Sequence, residues 1–320
     1  MESDFKLSAQ GLVRDYAGRR AVDNVNVTLA AGEVLGVLGP NGAGKSTTLR
    51  MLAGTLAPGA GHVVIAGQDM GRHPQQAKRR LGYLPERPPL YAELTVDEYL
   101  GFCARLHGIA RRERRAAIAA AKQDCGLADT GRRLIGSLSK GYQQRVGIAQ
   151  AIVHRPEVLI LDEPTAGLDP NQLRGVRELI TRLASAHSVI ISSHILSEIQ
   201  AVANRVMIIH QGRVVFDEPL GGTAAQADVL EIELASGPET AALAALDGVV
   251  AAHALSAGRW RLTVEAGRDI RVQLAETAAR NDWQLVELTR RPPDLEERFA
   301  ALTSRAPDAA GEPPTAGRAA

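Results

Sequence analysis

Short apolar runs, turn-forming residues and helical patterns alternate along much of the chain. Val34–Leu38 and Val158–Leu161 are continuous apolar runs, a pattern typical of strands buried on both faces of a parallel sheet. A glycine-rich segment follows the first run, and residues 45–54 then have helical spacing. The order of strand, glycine-rich turn and helix predicts a phosphate-binding α/β domain.

Further elements are predicted on both sides of these runs. Residues 5–30 have the pattern of short strands separated by turns at Gly18 and at residues 30–32. Apolar residues recur at helical spacing from residue 95 to about residue 126, which predicts a mostly helical insertion at about 95–153. A helix is also predicted at 171–187, and strands are predicted at 62–66, 188–192, 206–209 and 213–216.

The pattern starts again after a glycine-containing segment at 219–227, which we interpret as a linker after a first domain at 4–218. Strand and helix patterns then follow in the order β-α-β-β-α-β, which predicts a small α+β, ferredoxin-like domain at 228–304. A helix at 294–303 would close this domain. Residues 305–320 are rich in Pro, Gly and Ala, and we expect them to be disordered.

Length and charge limit the classes of function. A chain of 320 residues is long enough for two hydrophobic cores. The 37 Lys and Arg residues nearly balance the 36 Asp and Glu residues, so no overall field favours nucleic acid, and we expect no nucleic-acid partner. No window approaches the roughly 18 uninterrupted apolar residues of a membrane-spanning helix. We therefore expect a soluble protein. Cys103 and Cys125 lack metal-ligand spacing, which favours a reducing compartment.

One segment matches the phosphate-binding pattern G-x-x-x-x-G-K-[ST]. Glycines let successive backbone N–H groups point at an anion, and the helix that follows adds the positive end of its dipole. The lysine can reach the β- and γ-phosphates, and the Ser hydroxyl can bind Mg²⁺. An ordinary glycine-rich turn is the alternative, but the strand before and the helix after favour the phosphate loop. The residues are Gly39, Pro40, Asn41, Gly42, Ala43, Gly44, Lys45, Ser46 and Thr47.

Two carboxylates follow the second apolar run. Asp162 and Glu163 come directly after Val158–Leu161, and ligands of parallel sheets gather at the carboxyl ends of the strands. Asp162 could hold Mg²⁺, and Glu163 could orient or deprotonate an attacking water. The alternative is that Asp-Glu-Pro merely ends a strand and starts a turn. The phosphate loop upstream favours the catalytic interpretation.

Several segments together resemble the ATP-binding-cassette (ABC) family. The sequence LSKGYQQR at 138–145 is similar to the ABC signature, and ILDEPT at 160–165 to the Walker B motif. AGLD at 166–169 resembles the D-loop, and SSH at 192–194 the switch-histidine segment. Tyr16 stands where the family has an aromatic residue that stacks on adenine. The resemblance covers roughly residues 5–217. It implies a P-loop NTPase cassette with a mixed sheet, an antiparallel β subdomain and a helical insertion.

The resemblance also implies ligands, roles and a second copy of the chain. ATP with Mg²⁺ would be bound in a head-to-tail dimer, with Ser139 and Gly141 of one copy facing the γ-phosphate on the other. Ser139 would cap the helix that follows it. Glu163 and His194 would be the catalytic residues, and Ser46, Asp162 and Glu86 the candidate Mg²⁺ ligands. The implied ATP-binding residues are Tyr16, residues 39–47, Glu86, Ser139, Gly141 and Asp169.

Two segments depart from the family pattern. Lys140 and Tyr142 replace a glycine and the glutamine of the usual signature, which puts in doubt a polar contact between that glutamine and the ribose. Glu86 stands where the family has a glutamine. Its carboxylate can still approach Mg²⁺, but it cannot donate the hydrogen bonds of an amide.

The functional expectation is an ATPase subunit of a transporter. Residues 84–91 resemble those of ABC exporter ATPases, and residues 228–303 resemble an accessory domain of the same group. The chain would energise a separate integral-membrane permease from the cytoplasmic face of the membrane. A soluble ABC ATPase acting on ribosomes or DNA is the alternative, although the chain has one phosphate loop and no heptad run. A non-catalytic ATP-binding regulator is a third possibility, against which Lys45, Asp162, Glu163 and His194 argue.

Overall fold

The computed structural model describes residues 5–220, 228–265 and 267–291. The chain divides after Leu220 into two compact units, each described here by itself. Within the described ranges, no helix has both the length and the apolar character needed to cross a membrane.

The first unit contains two sheets and several helices. Its strands are β1 (Phe5–Tyr16), β2 (Arg19–Ala30), β3 (Val34–Leu38), β4 (Ala60–Ile65), β5 (Gln68–Asp69), β6 (Leu81–Leu84), β7 (Val158–Leu161), β8 (Ser188–Ser193), β9 (Arg205–His210) and β10 (Arg213–Pro219). Its helices are α1 (Lys45–Leu52), α2 (Pro74–Arg79), α3 (Val96–Leu106), α4 (Arg111–Asp124), α5 (Lys140–Ile152), α6 (Pro170–Leu183) and α7 (Leu196–Gln200).

One sheet of the first unit is antiparallel, with the strand order β2-β1-β4-β5. Ala17 and Gly18 both have positive φ, at 46° and 83°, and form the tight two-residue turn between β1 and β2. Each of these strands has 12 residues, so the expectation of short strands in this region was wrong. The register between β1 and β2 shifts after Ala9, close to Gly11 with φ of 61°. Such a bulge interrupts the alternation and makes one long strand resemble two short ones.

The second sheet brings predicted site residues together at one edge. Its strand order is β10-β9-β3-β8-β7-β6, and β6, β7, β8, β3 and β9 run parallel while β10 is antiparallel to β9. Every residue of β3, β7 and β8 is buried, as expected for a sheet covered on both faces. The segments after β3, β7 and β8 therefore meet at one edge of the sheet.

Helices α3, α4 and α5 form the region predicted as a helical insertion. Thr95 caps α3: its side chain accepts a hydrogen bond from the Glu98 N–H at 3.3 Å, and the Glu98 carboxylate accepts one from the Thr95 N–H at 2.8 Å. This reciprocal cap sets the start of the helix. Helix α5 lies close against β6, because a Cβ atom added at Gly82 would come within 2.1 Å of the Ala151 carbonyl oxygen.

The second unit is a single antiparallel sheet with two helices. Its elements are β11 (Asp228–Leu234), α8 (Thr240–Ala244), β12 (Val249–Ser256), β13 (Arg259–Val264), α9 (Arg271–Arg280) and β14 (Leu285–Arg291). The strand order β12-β13-β11-β14 confirms the ferredoxin-like fold. Its core includes Leu230, Leu262 and Leu274.

Some sequence predictions fall outside the described residues. The predicted helix at 294–303 and the tail at 305–320 are among them, as are residues 221–227 of the predicted linker. Pro219, the first residue of that predicted linker, is the last residue of β10.

Candidate nucleotide-binding site

Close packing explains the glycines of the loop between β3 and α1. Gly44 caps α1 with φ of 105°, a conformation that glycine adopts readily. A Cβ atom at Gly44 would lie 2.6 Å from the Ala21 carbonyl oxygen, and one at Gly39 would lie 2.2 Å from the Ile209 carbonyl oxygen. The loop therefore lies between β2 and β9, with its backbone N–H groups at the start of α1, the end of a helix that favours anions.

Lys45 is the buried cation of the site. Its ammonium group donates hydrogen bonds to the carbonyl oxygens of Gly39 at 2.8 Å and Pro40 at 3.3 Å. It also lies 3.5 Å from the Glu163 carboxylate, and both side chains are nearly inaccessible to solvent. These bonds hold the ammonium group beside the phosphate loop.

Asp162 is the buried carboxylate beside the start of α1. Its Oδ1 atom accepts hydrogen bonds from the Ser192 hydroxyl at 2.7 Å and the Ser46 hydroxyl at 3.2 Å. Burial raises the pKa of Asp162, although both hydroxyls act in the opposite direction. One carboxylate and one hydroxyl form the kind of oxygen donor set that binds Mg²⁺ together with phosphates and water. Ser46 and Asp162, two of the three residues predicted to hold Mg²⁺, therefore fit that ion.

Glu163 and His194 form a pair at the same edge of the sheet. His194 Nδ1 lies 3.0 Å from Glu163 Oε2, and the Glu163 N–H donates to the Ser192 hydroxyl at 2.8 Å. Glu163 has a positive φ of 47°, which is uncommon for a residue with a long side chain and occurs often at functional sites. A carboxylate oriented by an imidazole is suited to orient or deprotonate a water molecule.

Lys45, Glu163 and His194 line a cavity of about 430 Å³, a size typical of small-molecule sites. Glu86, which follows β6, lies on its wall together with Glu163 and His194. The predicted phosphate loop and the predicted catalytic pair therefore share one cavity. The lining residues are Ala21, Asn41, Gly42, Ala43, Gly44, Lys45, Ser46, Thr47, Glu86, Glu163, Ala166 and His194.

Six of the predicted ATP-binding residues do not line this cavity: Gly39 and Pro40, which belong to the phosphate loop itself, and four residues outside that loop. Ser139 caps α5 and accepts a hydrogen bond from the Tyr142 N–H at 3.5 Å. Gly141 packs so closely on α6 that an added Cβ atom would lie 2.9 Å from the Gln172 side chain. Asp169 caps α6. Tyr16 lies at the end of β1, and the Arg14 guanidinium lies 5.2 Å from the centroid of the Tyr16 ring. One chain alone does not bring these four residues to the phosphate loop.

Ser192 is a site residue to which the sequence analysis assigned no role. Its hydroxyl contacts both Asp162 and the Glu163 backbone. The signal was the pair of serines at the end of β8, directly after the apolar residues 189–191. Thr165, Ser193 and Glu198 form a second buried group nearby that the sequence analysis also missed.

Comparison with known proteins agrees with this geometry. A family model described as "ABC transporter" matches residues 22–166. The bacitracin transport ATP-binding protein BcrA of Bacillus licheniformis is 41% identical over 210 residues, or 65% of this chain and 68% of BcrA. The linearmycin resistance ATP-binding protein LnrL of Bacillus subtilis is 29% identical over 311 residues, or 93% of this chain and 98% of LnrL.

A solved structure of an ATP-binding subunit of an ABC transporter is 30% identical to the chain. The superposition has a TM-score of 0.61 and covers 67% of this chain and 90% of the chain in the solved structure. Residues of the phosphate loop, Glu163 at the end of β7 and His194 after β8 line one cavity of a P-loop NTPase fold. This chain therefore belongs to the ABC transporter family, as one of its ATP-binding proteins.

Proposed function

We propose that the chain is the ATP-hydrolysing subunit of an ABC exporter and drives a separate membrane permease. The observation that carries this proposal is the Glu163–His194 pair, 3.0 Å apart, on the wall of the cavity that contains the phosphate loop. A protein that only bound ATP would need the loop but not a buried carboxylate oriented beside it.

Each residue would have one task in hydrolysis. Lys45 would leave its main-chain partners for the β- and γ-phosphates, and Glu163 would accept a proton from the attacking water. The oxygen of that water forms a bond to the γ-phosphorus, and the bond from the γ-phosphorus to the β–γ bridging oxygen breaks, so ADP leaves. His194 would hold the Glu163 carboxylate and donate a hydrogen bond to the γ-phosphate.

Ser46 and Asp162 would hold Mg²⁺, with Glu86 as a further oxygen donor on the cavity wall. Bound with ATP, Mg²⁺ supplies positive charge that offsets the negative charge of the phosphates. The two hydroxyls on Asp162 Oδ1 keep the carboxylate directed at the start of α1. Their role is to orient this ligand before the nucleotide arrives.

A second copy of the chain would complete each site. Ser139 caps α5, and the N-terminus of this helix presents N–H groups suited to an anion, yet it does not line the cavity of its own chain. A head-to-tail dimer would place it on the γ-phosphate held by the other copy. ATP would then join the copies, and hydrolysis would let them separate.

Two observations support coupling to a permease. The names of BcrA and LnrL refer to bacitracin transport and linearmycin resistance. A second cavity, of about 600 Å³, lies between the segment after β6 and α5, and Glu86 lines it as well as the nucleotide cavity. A cytoplasmic loop of a permease, at the inner face of the membrane, would bind in this second cavity. Glu86 would then connect the bound loop to the nucleotide cavity.

The substitution Glu163→Gln tests the catalytic assignment. Because the amide cannot accept the proton, the rate of ATP hydrolysis should fall by about 100-fold or more while ATP binding persists. The variant should also accumulate as an ATP-bound dimer, measured by light scattering. Glu178→Gln, at an exposed position of α6, is the matched control. A Glu163→Gln variant that hydrolyses ATP at the wild-type rate would overturn the assignment.

Copurification tests the coupling to a membrane. The full chain, tagged and expressed in its native cells, should copurify from detergent-solubilised membranes with a protein of about six membrane-spanning helices. The ATPase rate should change when that protein is present. Recovery of the chain with ribosomes or DNA instead would favour the non-transport alternative.

A further inference from the structure

A third carboxylate is buried behind the catalytic pair. Glu198, in α7, is 5% exposed, and its Oε2 atom accepts hydrogen bonds from the Thr165 hydroxyl at 2.6 Å and the Ser193 hydroxyl at 2.8 Å. Thr165 and Ser193 are themselves 4% and 0% exposed. The Ser193 hydroxyl also accepts a hydrogen bond from the Ile195 N–H at 3.0 Å. One carboxylate oxygen thus joins two segments that are distant in the sequence.

Those two segments carry the two catalytic side chains. Thr165 comes two residues after Glu163, and Ser193 comes directly before His194. Successive side chains of a strand point to opposite sides, so Ser192 contacts Asp162 and the Glu163 N–H while Ser193 contacts Glu198. The Glu163–His194 pair is therefore braced by two different groups of hydrogen bonds.

The positions of Glu163 and His194 require support from such hydrogen bonds. The His194 side chain is 46% exposed, so packing does not fix its ring, and its position depends on the backbone of the segment that carries it. Glu163 has an unfavourable positive φ of 47°, which persists only where the surroundings hold it. Burial of a carboxylate is costly, and in the part of the chain that the structure describes Glu198 forms no ion pair. An apolar side chain would serve the core at lower cost.

We propose that Glu198 is a positioning residue for ATP hydrolysis, which sets the distance between Glu163 and His194 by holding Thr165 and Ser193. This inference rests on the proposed function. Glu198 does not line the nucleotide cavity, so it acts on the reaction only through the pair. The step most sensitive to it is the transfer of a proton from water, because that step requires the carboxylate to be in place.

Steady-state kinetics of the full chain separate this role from nucleotide binding. Glu198→Leu should lower kcat by about 10- to 100-fold, as for other partners that orient a site residue, and leave the KM for ATP within about twofold. Glu198→Gln retains an acceptor oxygen at the same reach and should keep most of the wild-type kcat. Thr165→Val removes only one hydroxyl at nearly constant volume, and it should lower kcat in the same direction even if Glu198→Leu fails to fold.

Double variants distinguish positioning from general stability. In a His194→Ala background the pair no longer exists, so Thr165→Val and Glu198→Leu should cost little further activity. Equal losses in the wild-type and His194→Ala backgrounds would overturn the proposal, as would wild-type kcat in both single variants. Ser197→Ala, an exposed hydroxyl in the same helix, is the control. A wild-type chain no more active than Glu163→Gln would instead overturn the proposed function, and this inference with it.

Discussion

Two adjacent carboxylates at the end of β7 have different surroundings. Asp162 accepts hydrogen bonds from two hydroxyls, and burial raises its pKa. Glu163 lies 3.5 Å from the Lys45 ammonium and 3.0 Å from His194. The first arrangement suits a ligand for a cation that arrives with ATP, and the second suits a base. Asp162 and Glu163 are adjacent in the sequence, but the side chains around them suit them to different roles.

The substitution Asp162→Asn should stabilise the chain without nucleotide. Because burial raises the pKa of Asp162, its ionised form costs stability at neutral pH, whereas an asparagine stays neutral and can still accept both hydroxyls. The melting temperature should rise, by an amount that corresponds to on the order of 1 kcal/mol. The gain should shrink as the pH falls and the wild-type carboxylate takes up its proton.

The same variant should lose the stabilisation that Mg²⁺ with ATP provides, because one ligand charge is gone. Differential scanning fluorimetry with and without Mg²⁺ and ATP measures both effects. Asp129→Asn, at an exposed position, is the control. An Asp162→Asn chain that is less stable than wild type without nucleotide would contradict the argument.

At the scale of elements, a stacked histidine pair joins the ends of two helices. His107 caps the C-terminus of α3, and its ring lies 3.6 Å, centroid to centroid, from that of His154, which follows α5. His154 Nε2 also lies 3.0 Å from the Leu81 carbonyl oxygen of β6. Burial lowers the pKa of His154 to about 4 and lowers the pKa of His107 as well. The helical region therefore contacts the sheet through imidazoles whose pKa values burial lowers, which disfavours their charged forms.

Acidification should weaken this junction. Unfolded histidines bind protons below about pH 6.5, while folded His154 remains neutral until about pH 4. The unfolded state thus binds more protons in that window, and the free energy of unfolding falls as the pH is lowered. Between about pH 7.5 and about pH 5, His154 should cost on the order of 1 to 2 kcal/mol.

Urea unfolding at both pH values measures the loss, which His154→Gln should reduce. The replacement of the exposed His62 with Gln is the control substitution. Equal pH dependence in wild type and His154→Gln would show that the buried imidazole is not the cause.

At the scale of the whole molecule, the nucleotide cavity belongs to one unit. All of its lining residues lie between Ala21 and His194, before the division of the chain after Leu220. The match to LnrL extends over 93% of this chain, so the aligned sequence runs beyond the first unit. Within this chain, the first unit alone supplies the residues that line the nucleotide cavity.

A chain that ends at Leu220 should fold and bind ATP with nearly the affinity of the full chain. The physical reason is that the hydrophobic cluster around the phosphate loop, which includes Leu35, Leu49 and Ile209, is formed within the first unit. Fluorescence titration with a labelled ATP analogue measures the affinity of both chains, with Lys45→Ala as the non-binding control. Loss of ATP binding on truncation would show that the second unit is needed for the site.

Local chemistry explains what could be predicted from the sequence. The phosphate loop depends on glycines and a lysine within nine consecutive positions, 39–47, and buried parallel strands appear as apolar runs. The family motifs therefore indicated the cassette fold and the candidate site residues, and the pattern of strands and helices indicated the ferredoxin-like order of the second unit. The long β1 and β2 were not evident, because a register shift near Gly11 interrupts their alternation.

Only the tertiary structure decided which side chains from separate segments touch. Ser192 lies 30 residues from Asp162, and Glu198 lies 33 residues from Thr165, so no local pattern reports these contacts. They exist because β7 and β8 are parallel neighbours, which brings the segments after both strands to one edge of the sheet. Amino-acid order determined the phosphate loop and the carboxylates, whereas folding decided how two serines and a third carboxylate hold them in place.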